Sequence, residues 1–211
     1  MKAAYPVFLI LIGLLFVGVI PVFPVPSQNS SSNLDSTPKD RPVPESSAYV
    51  GQYIAQFGSQ GQGGGQFEFP CGIAINSSGD VYVVDNVLNI TEIFGPAGNF
   101  LGQFGGMGSG NGQMYYPSTV AINSGGVVYV ADTYNERIQY FGPAGNYLGQ
   151  FGSAGTGNGK FERPFGVAVN SSGNVYVTDG YNNRVEIFDS VGNYLGQFGG
   201  GGRTHARPAR P

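Results

Sequence analysis

The sequence is poor in the residues on which most catalytic and cross-linked sites depend. Its 211 residues include no tryptophan, one cysteine and one histidine, and only 11% of them are charged. With Cys71 as its one cysteine, the chain cannot form an internal disulfide. One imidazole, that of His205, cannot build a histidine-rich zinc site, and a Ser-His-Asp triad would need it inside the fold. We therefore expect no catalytic residues, no metal site and no cofactor.

Basic side chains are scarce as well. Residues 48–199 contain four basic and ten acidic residues, which gives them a net charge of −6. A protein that grips phosphates needs a basic face. We therefore expect no nucleic-acid partner.

Glycine, by contrast, is abundant, with 36 residues, and it recurs within a repeated pattern. Three copies of one unit follow each other with a period of 47 residues and no gap. The copies align at equivalent prolines (Pro70, Pro117, Pro164), aspartates (Asp85, Asp132, Asp179) and Phe-Gly pairs (beginning at Phe57, Phe104, Phe151, Phe198). A fixed period of this length indicates an architecture of stacked supersecondary units.

Each copy contains four short apolar runs separated by turn signals. In the third copy the runs cover residues 166–169, 175–178, 184–188 and 194–198, and they are too short and too rich in Val, Ile, Tyr and Phe for helices. Many of the alternate positions are apolar too, which fits a sheet covered on both faces. Cys71 opens such a strand, and we expect it to be a small buried hydrophobe. Four strands per unit predict the blade of a β-propeller.

The repeat resembles the NHL family. It reads Pro, then G-[IV]-A-[IV]-[ND]-x-x-G-[ND]-[VI]-Y-V-x-D, then N-x-R-[IV]-x-x-F, then a glycine turn and Phe-Gly, while the Trp-Asp signature of WD40 blades is absent. The third copy matches throughout and the second nearly so. The first departs where Leu88 replaces the Asn, and Ile90 the Arg, of the later copies.

The resemblance, which covers about residues 48–199, implies an all-β protein. We expect part of an NHL-type β-propeller, with three four-stranded blades over 59–105, 106–152 and 153–199 and a stray outer strand over 48–58. NHL propellers usually have about six blades. Three blades and one strand cannot close a ring alone. The hypothesis is a piece of a longer propeller; the alternative is a half-ring that dimerises. Either leaves open blade faces, through which the chain could self-associate.

The segments outside the repeats predict an exported protein. Residues 3–23 contain no charge and follow Lys2, and residues 1–23 are expected to be an uncleaved signal anchor or a signal peptide. Both alternatives place the repeats outside the membrane, so the chain is membrane-anchored or secreted. Residues 24–47 read as a disordered Ser/Pro linker, and residues 200–211 as a disordered tail unlike the repeat.

The most regular polar pattern is Asp-x-x-Asn-x-Arg, which starts where the second strand of a blade ends. It is formed by Asp132, Asn135 and Arg137, and again by Asp179, Asn182 and Arg184. One interpretation is a carboxylate ring for Ca²⁺ or a polar ligand. The favoured one is a structural brace in which Arg bridges Asp and main-chain carbonyls across the loop. Asp85 has Ile90 where the Arg should be, so it is either solvated or free to take another partner.

Propellers usually bind ligands at the loops of one face. On this face we expect the loops before the inner strands and those between the second and third strands. The candidate ligand-face residues are Phe69, Tyr115, Tyr116, Tyr134, Glu136, Arg163, Phe165, Tyr181 and Asn183. Exposed Tyr with Arg and Asn is typical of protein-binding surfaces. The alternative is that these aromatic side chains only pack the seams between blades.

These observations favour a non-catalytic binding, scaffold or sensor module for a protein, peptide or glycan. The alternative from the enzyme class is a piece of a propeller lyase or hydrolase whose metal ligands lie in further blades. A third hypothesis follows the ubiquitin-ligase proteins whose NHL propellers bind RNA or substrate proteins. The acidic repeats and the absence of zinc-spaced cysteines argue against it.

Overall fold

The computed structural model describes residues 55–200. The predicted signal segment and linker, most of the predicted outer strand over 48–58, and the tail from residue 201 lie outside the described residues. Residues 55–58 are not in a strand. Within residues 55–200, no helix is long and apolar enough to span a bilayer.

Short strands are the main regular secondary structure of the described chain. Within residues 55–200 they are β1 (Ser59–Gln60), β2 (Gln66–Phe67), β3 (Pro70–Ile75), β4 (Val81–Asp85), β5 (Ile90–Phe94), β6 (Phe100–Gly105), β7 (Val120–Ile122), β8 (Val128–Asp132), β9 (Arg137–Phe141), β10 (Tyr147–Phe151), β11 (Pro164–Val169), β12 (Val175–Asp179), β13 (Arg184–Phe188) and β14 (Tyr194–Gly199). A single 3-10 turn, Thr133–Asn135, joins β8 to β9.

The strands form three four-stranded antiparallel sheets, which we call blade 1 (β3–β6), blade 2 (β7–β10) and blade 3 (β11–β14). Sequential neighbours pair within each sheet. The hairpin between the first two strands is set by an asparagine. In blade 1 the Asn76 side-chain oxygen accepts hydrogen bonds from the amides of Ser78 and Asp80. Asn123 and Asn170 repeat this turn in the other blades, because a short side chain can replace main-chain acceptors there.

The hydrophobic core lies between successive sheets. Each cluster of buried residues combines one face of a blade with the facing side of the next. Between blades 1 and 2 the cluster contains Tyr82, Val84, Ile93, Met114, Val120, Val128, Val130 and Phe141. Between blades 2 and 3 it contains Tyr129, Ala131, Ile138, Phe151, Phe161, Val167, Val175, Val177 and Phe188. This explains why both faces of the strands are apolar, as the sequence indicated. The all-β prediction is confirmed, and the sheets resemble propeller blades.

A phenylalanine lies at each seam between successive blades. The ring of Phe104, from the last strand of blade 1, lies 4.6 Å from the ring of Phe141 in blade 2. Phe151 lies 4.7 Å from Phe188 in the same way. Each ring also covers a turn glycine; a Cβ on Gly192 would stand 2.4 Å from Phe151. Only glycine fits beneath the ring, and its φ of +94° also favours glycine.

Phe57 takes the same place on blade 1. Its ring lies 4.8 Å from that of Phe94, as if it ended the outer strand of a preceding blade. At the other end, Phe198 has no following blade to contact among the described residues, and it is 56% exposed. Ile73 on blade 1 is 63% exposed, whereas its equivalent Val120 in blade 2 is 4% exposed. Both outer faces of the described stack are therefore only partly covered.

Candidate functional site

The Asp-x-x-Asn-x-Arg residues of blade 2 come together at the end of β8. The Arg137 Nε donates to Asp132 Oδ2 at 2.8 Å, and Asn135 donates to both carboxylate oxygens. The guanidinium also donates to the carbonyls of Gly110 and Gln113 and to the Gln150 side chain. Asp132 is completely buried.

Blade 3 repeats this arrangement. The Arg184 Nε donates to Asp179 Oδ2 at 3.0 Å, and Asn182 donates to the same oxygen at 2.7 Å. The guanidinium reaches the carbonyls of Thr156, Gly157 and Lys160. These contacts are those of a structural brace, since they tie the glycine-rich loop to the sheet. Among residues 55–200 there is no group of three or more His, Cys, Asp or Glu side chains suited to a metal ion.

Asp85 in blade 1 is not solvated; it has taken other partners in place of the arginine, which was the second sequence-based alternative. The residue is completely buried. One carboxylate oxygen accepts from the amides of Glu68 and Phe69, and the other from those of Val87 and Leu88. The Glu68 amide has equivalents in the other blades, so it is the amides of Phe69, Val87 and Leu88 that take the place of the missing guanidinium. The sequence could not show this because these donors belong to the backbone.

Sequence reasoning missed a second buried polar position, in the middle of the third strand of each blade. It holds Glu92, Gln139 and Glu186, which are all completely buried. The signal was present, because a polar residue at the centre of ITEIF, RIQYF and RVEIF repeats with the 47-residue period.

The face formed by the predicted loops carries a compact group that we call the aromatic cluster: Tyr115, Tyr116, Tyr134, Glu136 and Arg163. The three tyrosine rings lie 4.9–5.6 Å apart between centroids. The guanidinium carbon of Arg163 lies 3.4 Å from the centre of the Tyr134 ring. Arg163 also pairs with Glu136, with 3.8 Å between Nε and Oε1. The cluster therefore joins side chains from blade 2 and from the start of blade 3.

The backbone holds this cluster in an unusual conformation. Tyr116, Glu136 and Arg163 have φ values of 47°, 55° and 59°, in the left-handed region. The Tyr116 amide donates to Asn89 Oδ1 of blade 1, and the Arg163 amide donates to Glu136 Oε2. These bonds across the seams fix the left-handed residues. Asn89 and Asn183, which are equivalent to Glu136, have φ values of 60° and 54°, so the conformation belongs to the repeat and not to the cluster alone. Tyr116 remains 38% exposed and Tyr134 46% exposed.

The remaining predicted face residues occupy the equivalent loops of blades 1 and 3. Phe69, Phe165, Tyr181 and Asn183 are all exposed. Within residues 55–200, no aromatic ring contact joins them to the aromatic cluster. The structure thus brings five of the nine predicted face residues together.

Cys71 is not the buried residue that its position predicted, since it is exposed at the first strand of blade 1. Its sulfur nevertheless lies against the seam, 3.2 Å from the carbonyl of Ser118. Desolvation of this sulfur, followed by the charge of Asp85, raises the pKa of Cys71 to about 12. The thiol is therefore protonated at neutral pH and a poor nucleophile.

Comparison with known proteins agrees with this architecture. An inactive variant of virginiamycin B lyase from Staphylococcus aureus, crystallised with quinupristin, is 17% identical with a TM-score of 0.50, over 62% of this chain and 41% of the lyase. A streptogramin B lyase is 15% identical with a TM-score of 0.50, over 62% and 40%. The WD40 repeats of RRP9 are 12% identical with a TM-score of 0.52, over 63% and 39%. At such identities the likeness shows the fold alone.

The chain spans about two fifths of the length of these structures. The comparison with curated proteins gives no match. The sequence pattern of the NHL repeat matches residues 114–141 and 161–188, which lie in the second and third copies. The resemblance to NHL repeats is therefore confirmed at these two positions, in sheets that resemble propeller blades.

Proposed function

We propose that this chain is a non-catalytic binding module that takes a protein, peptide or glycan at the aromatic cluster. The observation that carries the proposal is the stacked pair of Arg163 and Tyr134, with Tyr116 beside it. Tyrosine and arginine supply large contact areas and several hydrogen-bond donors, and they dominate the energies of many interfaces. Here Tyr116 and Tyr134 are 38% and 46% exposed, and the main-chain bonds across the seams hold the backbone that carries Tyr116 and Arg163 in place. Such preorganisation lowers the entropy lost on binding.

The blades belong, in this proposal, to an NHL-type propeller of about six blades. The further blades come from additional chain or from a second copy. The location is outside the cytoplasm, on a membrane anchor or secreted, which rests on the apolar segment 1–23 and the single base, Lys2, before it.

The experiment is a binding screen of the full chain against a glycan array and a phage-displayed peptide library. For a ligand from either screen, Tyr134→Ala should raise the dissociation constant about tenfold or more, because it removes both the ring and the support for Arg163. Leu195→Ala is the matched control, since Leu195 is 55% exposed on β14. The unfolding midpoint of both variants is measured to exclude a loss of fold.

Equal binding by wild type and Tyr134→Ala would contradict the proposed site. The non-catalytic assignment has a separate test. Turnover of a lactone such as quinupristin by the full chain with added divalent metal would overturn it in favour of a lyase.

A further inference from the structure

The buried third-strand side chain makes the same main-chain contact in each of the three blades. Glu92 on β5, Gln139 on β9 and Glu186 on β13 each accept a main-chain hydrogen bond through Oε1. The donors are the amides of Gly65, Gly112 and Gly159, at 3.0, 2.9 and 3.2 Å. The three side chains are therefore held in the same orientation against the glycine-rich loop.

The other terminal atom of this side chain, beside Oε1, is a hydrogen-bond donor in blade 2. Gln139 Nε2 donates to the carbonyl of Gln113 at 2.6 Å and to Asp132 Oδ2 at 3.0 Å. In blades 1 and 3 the equivalent atom is Oε2 of Glu92 or Glu186, and each is buried without a hydrogen-bond partner. The position thus requires a donor, which an ionised carboxylate cannot supply.

Blade 1 offers no cation to stabilise an ionised Glu92. Ile90 replaces the arginine, and the charged group that acts on Glu92 is Asp85, which is also completely buried. Two buried carboxylates side by side cannot both ionise without a large electrostatic cost. Desolvation raises the pKa of Glu92, Asp85 raises it further, and the bond from Gly65 lowers it in part.

We propose that Glu92 is a neutral carboxylic acid in the folded protein at neutral pH. Its Oε2 proton is donated to the Gln66 carbonyl or to Asp85, the equivalents of the two acceptors of Gln139. The acid thereby completes in blade 1 the same network that an amide completes in blade 2. Asp85 already accepts hydrogen bonds from four main-chain amides.

Glu186 provides an internal comparison. Its pKa is also raised by desolvation, and Asp179 raises it too, but Arg184 lowers it. Nη2 of that arginine lies 3.1 Å from Glu186 Oε1. An ionised Glu186 therefore has a partner that Glu92 lacks, and the effects described below should be larger for Glu92.

A neutral buried acid makes stability depend on pH in a defined direction. The folded pKa of Glu92 lies above the unfolded value of about 4.3. The folded state therefore holds its proton more tightly than the unfolded state. The contribution of Glu92 to stability is complete below the unfolded pKa and is lost as the pH rises through the folded one.

The test compares wild type with Glu92→Gln and Glu186→Gln in the full chain. Infrared spectra in D₂O at pH 7 should show the carbonyl band of a protonated acid in wild type, and Glu92→Gln should remove more of it than Glu186→Gln. In urea titrations from pH 5 to pH 9, the urea concentration at the unfolding midpoint of wild type should fall as the pH rises. The fall should be smaller in Glu92→Gln. Glutamine should fold normally here, because blade 2 already contains it.

Three results would overturn the proposal. One is a protonated-acid band that is absent from wild type or unchanged in Glu92→Gln. Another is a Glu92→Gln protein that is misfolded or less stable than wild type at pH 8. The third is stabilisation of wild type by Ca²⁺ that Glu92→Gln abolishes, which would indicate a bound cation in place of the proton.

Discussion

The most constrained single residues are the buried aspartates at the end of the second strand of a blade. Asp132 and Asp179 are enclosed in their blades, and each has one arginine as its counter-ion. A buried pair adds little net stability, since desolvation offsets the attraction, but loss of one partner leaves an uncompensated charge. The same arginines also hold the carbonyls of the glycine-rich loops.

Arg137→Ala should therefore lower the free energy of unfolding by about 3–5 kcal/mol, because it leaves the Asp132 carboxylate buried in the sheet without its counter-ion. Urea denaturation at neutral pH measures the change. Arg163→Ala is the comparison, since its ion pair with Glu136 is longer, at 3.8 Å, and less buried, so its loss should cost less even though it also removes the stacking on Tyr134. Equal losses in the two variants would show that Arg137 is not a brace.

At this scale the sequence predicted pairs that lie close along the chain. Asp132 and Arg137 are five residues apart and meet across one turn, so their contact follows from the motif. The stacking of Arg163 on Tyr134 joins two blades, so it depends on seam geometry that no local pattern contains. For Asp85 the sequence allowed a partner other than arginine but could not identify it, because that partner is a set of main-chain amides, which every sequence contains.

At the scale of the strands and sheets, the contacts in the seam between successive sheets stabilise the fold. Each seam contains a buried cluster, a phenylalanine over a turn glycine, and a tyrosine hydroxyl bonded to the next blade. Tyr82 donates to the carbonyl of Pro143, and Tyr129 donates to that of Ser190. Both bonds span 61 residues, so the seams repeat with the period of the sequence.

Phe151→Ala should cost about 3–5 kcal/mol of unfolding free energy, because Phe151 is 8% exposed and fills the seam against Phe188. The matched variant is Phe198→Ala, one repeat later, whose ring is 56% exposed and should contribute less than about 1 kcal/mol. Thermal or urea unfolding of both proteins measures the difference. A large loss for Phe198→Ala would mean that another surface covers it in solution.

The strands themselves were largely predictable. The first apolar run of the third copy was expected at residues 166–169, and β11 is Pro164–Val169. The inner strand of blade 2 is shorter, Val120–Ile122, although its copy of the repeat is similar. The bridge that closes each glycine-rich loop, such as Met107 to Met114, was not predicted, because it pairs residues in segments without an apolar pattern.

At the scale of the whole molecule, the described stack has two different ends. The ring of Phe57 packs on blade 1 in the way that the rings of Phe104 and Phe151 pack on the blades that follow them. Blade 3 presents Thr178, Val185 and Phe198 on its outer side, where blades 1 and 2 carry covered residues. A neighbour that covered blade 3 would need a face like that of blade 2, with residues such as Val120 and Phe141.

The most direct test of the binding proposal is hydrogen–deuterium exchange on the full chain with and without a peptide or glycan from the screen. We predict new protection in the segments that carry Tyr115–Tyr116, Tyr134–Glu136 and Arg163, because they form one surface. Protection confined to the outer side of blade 3, around Thr178 and Phe198, would place the binding site elsewhere and contradict it.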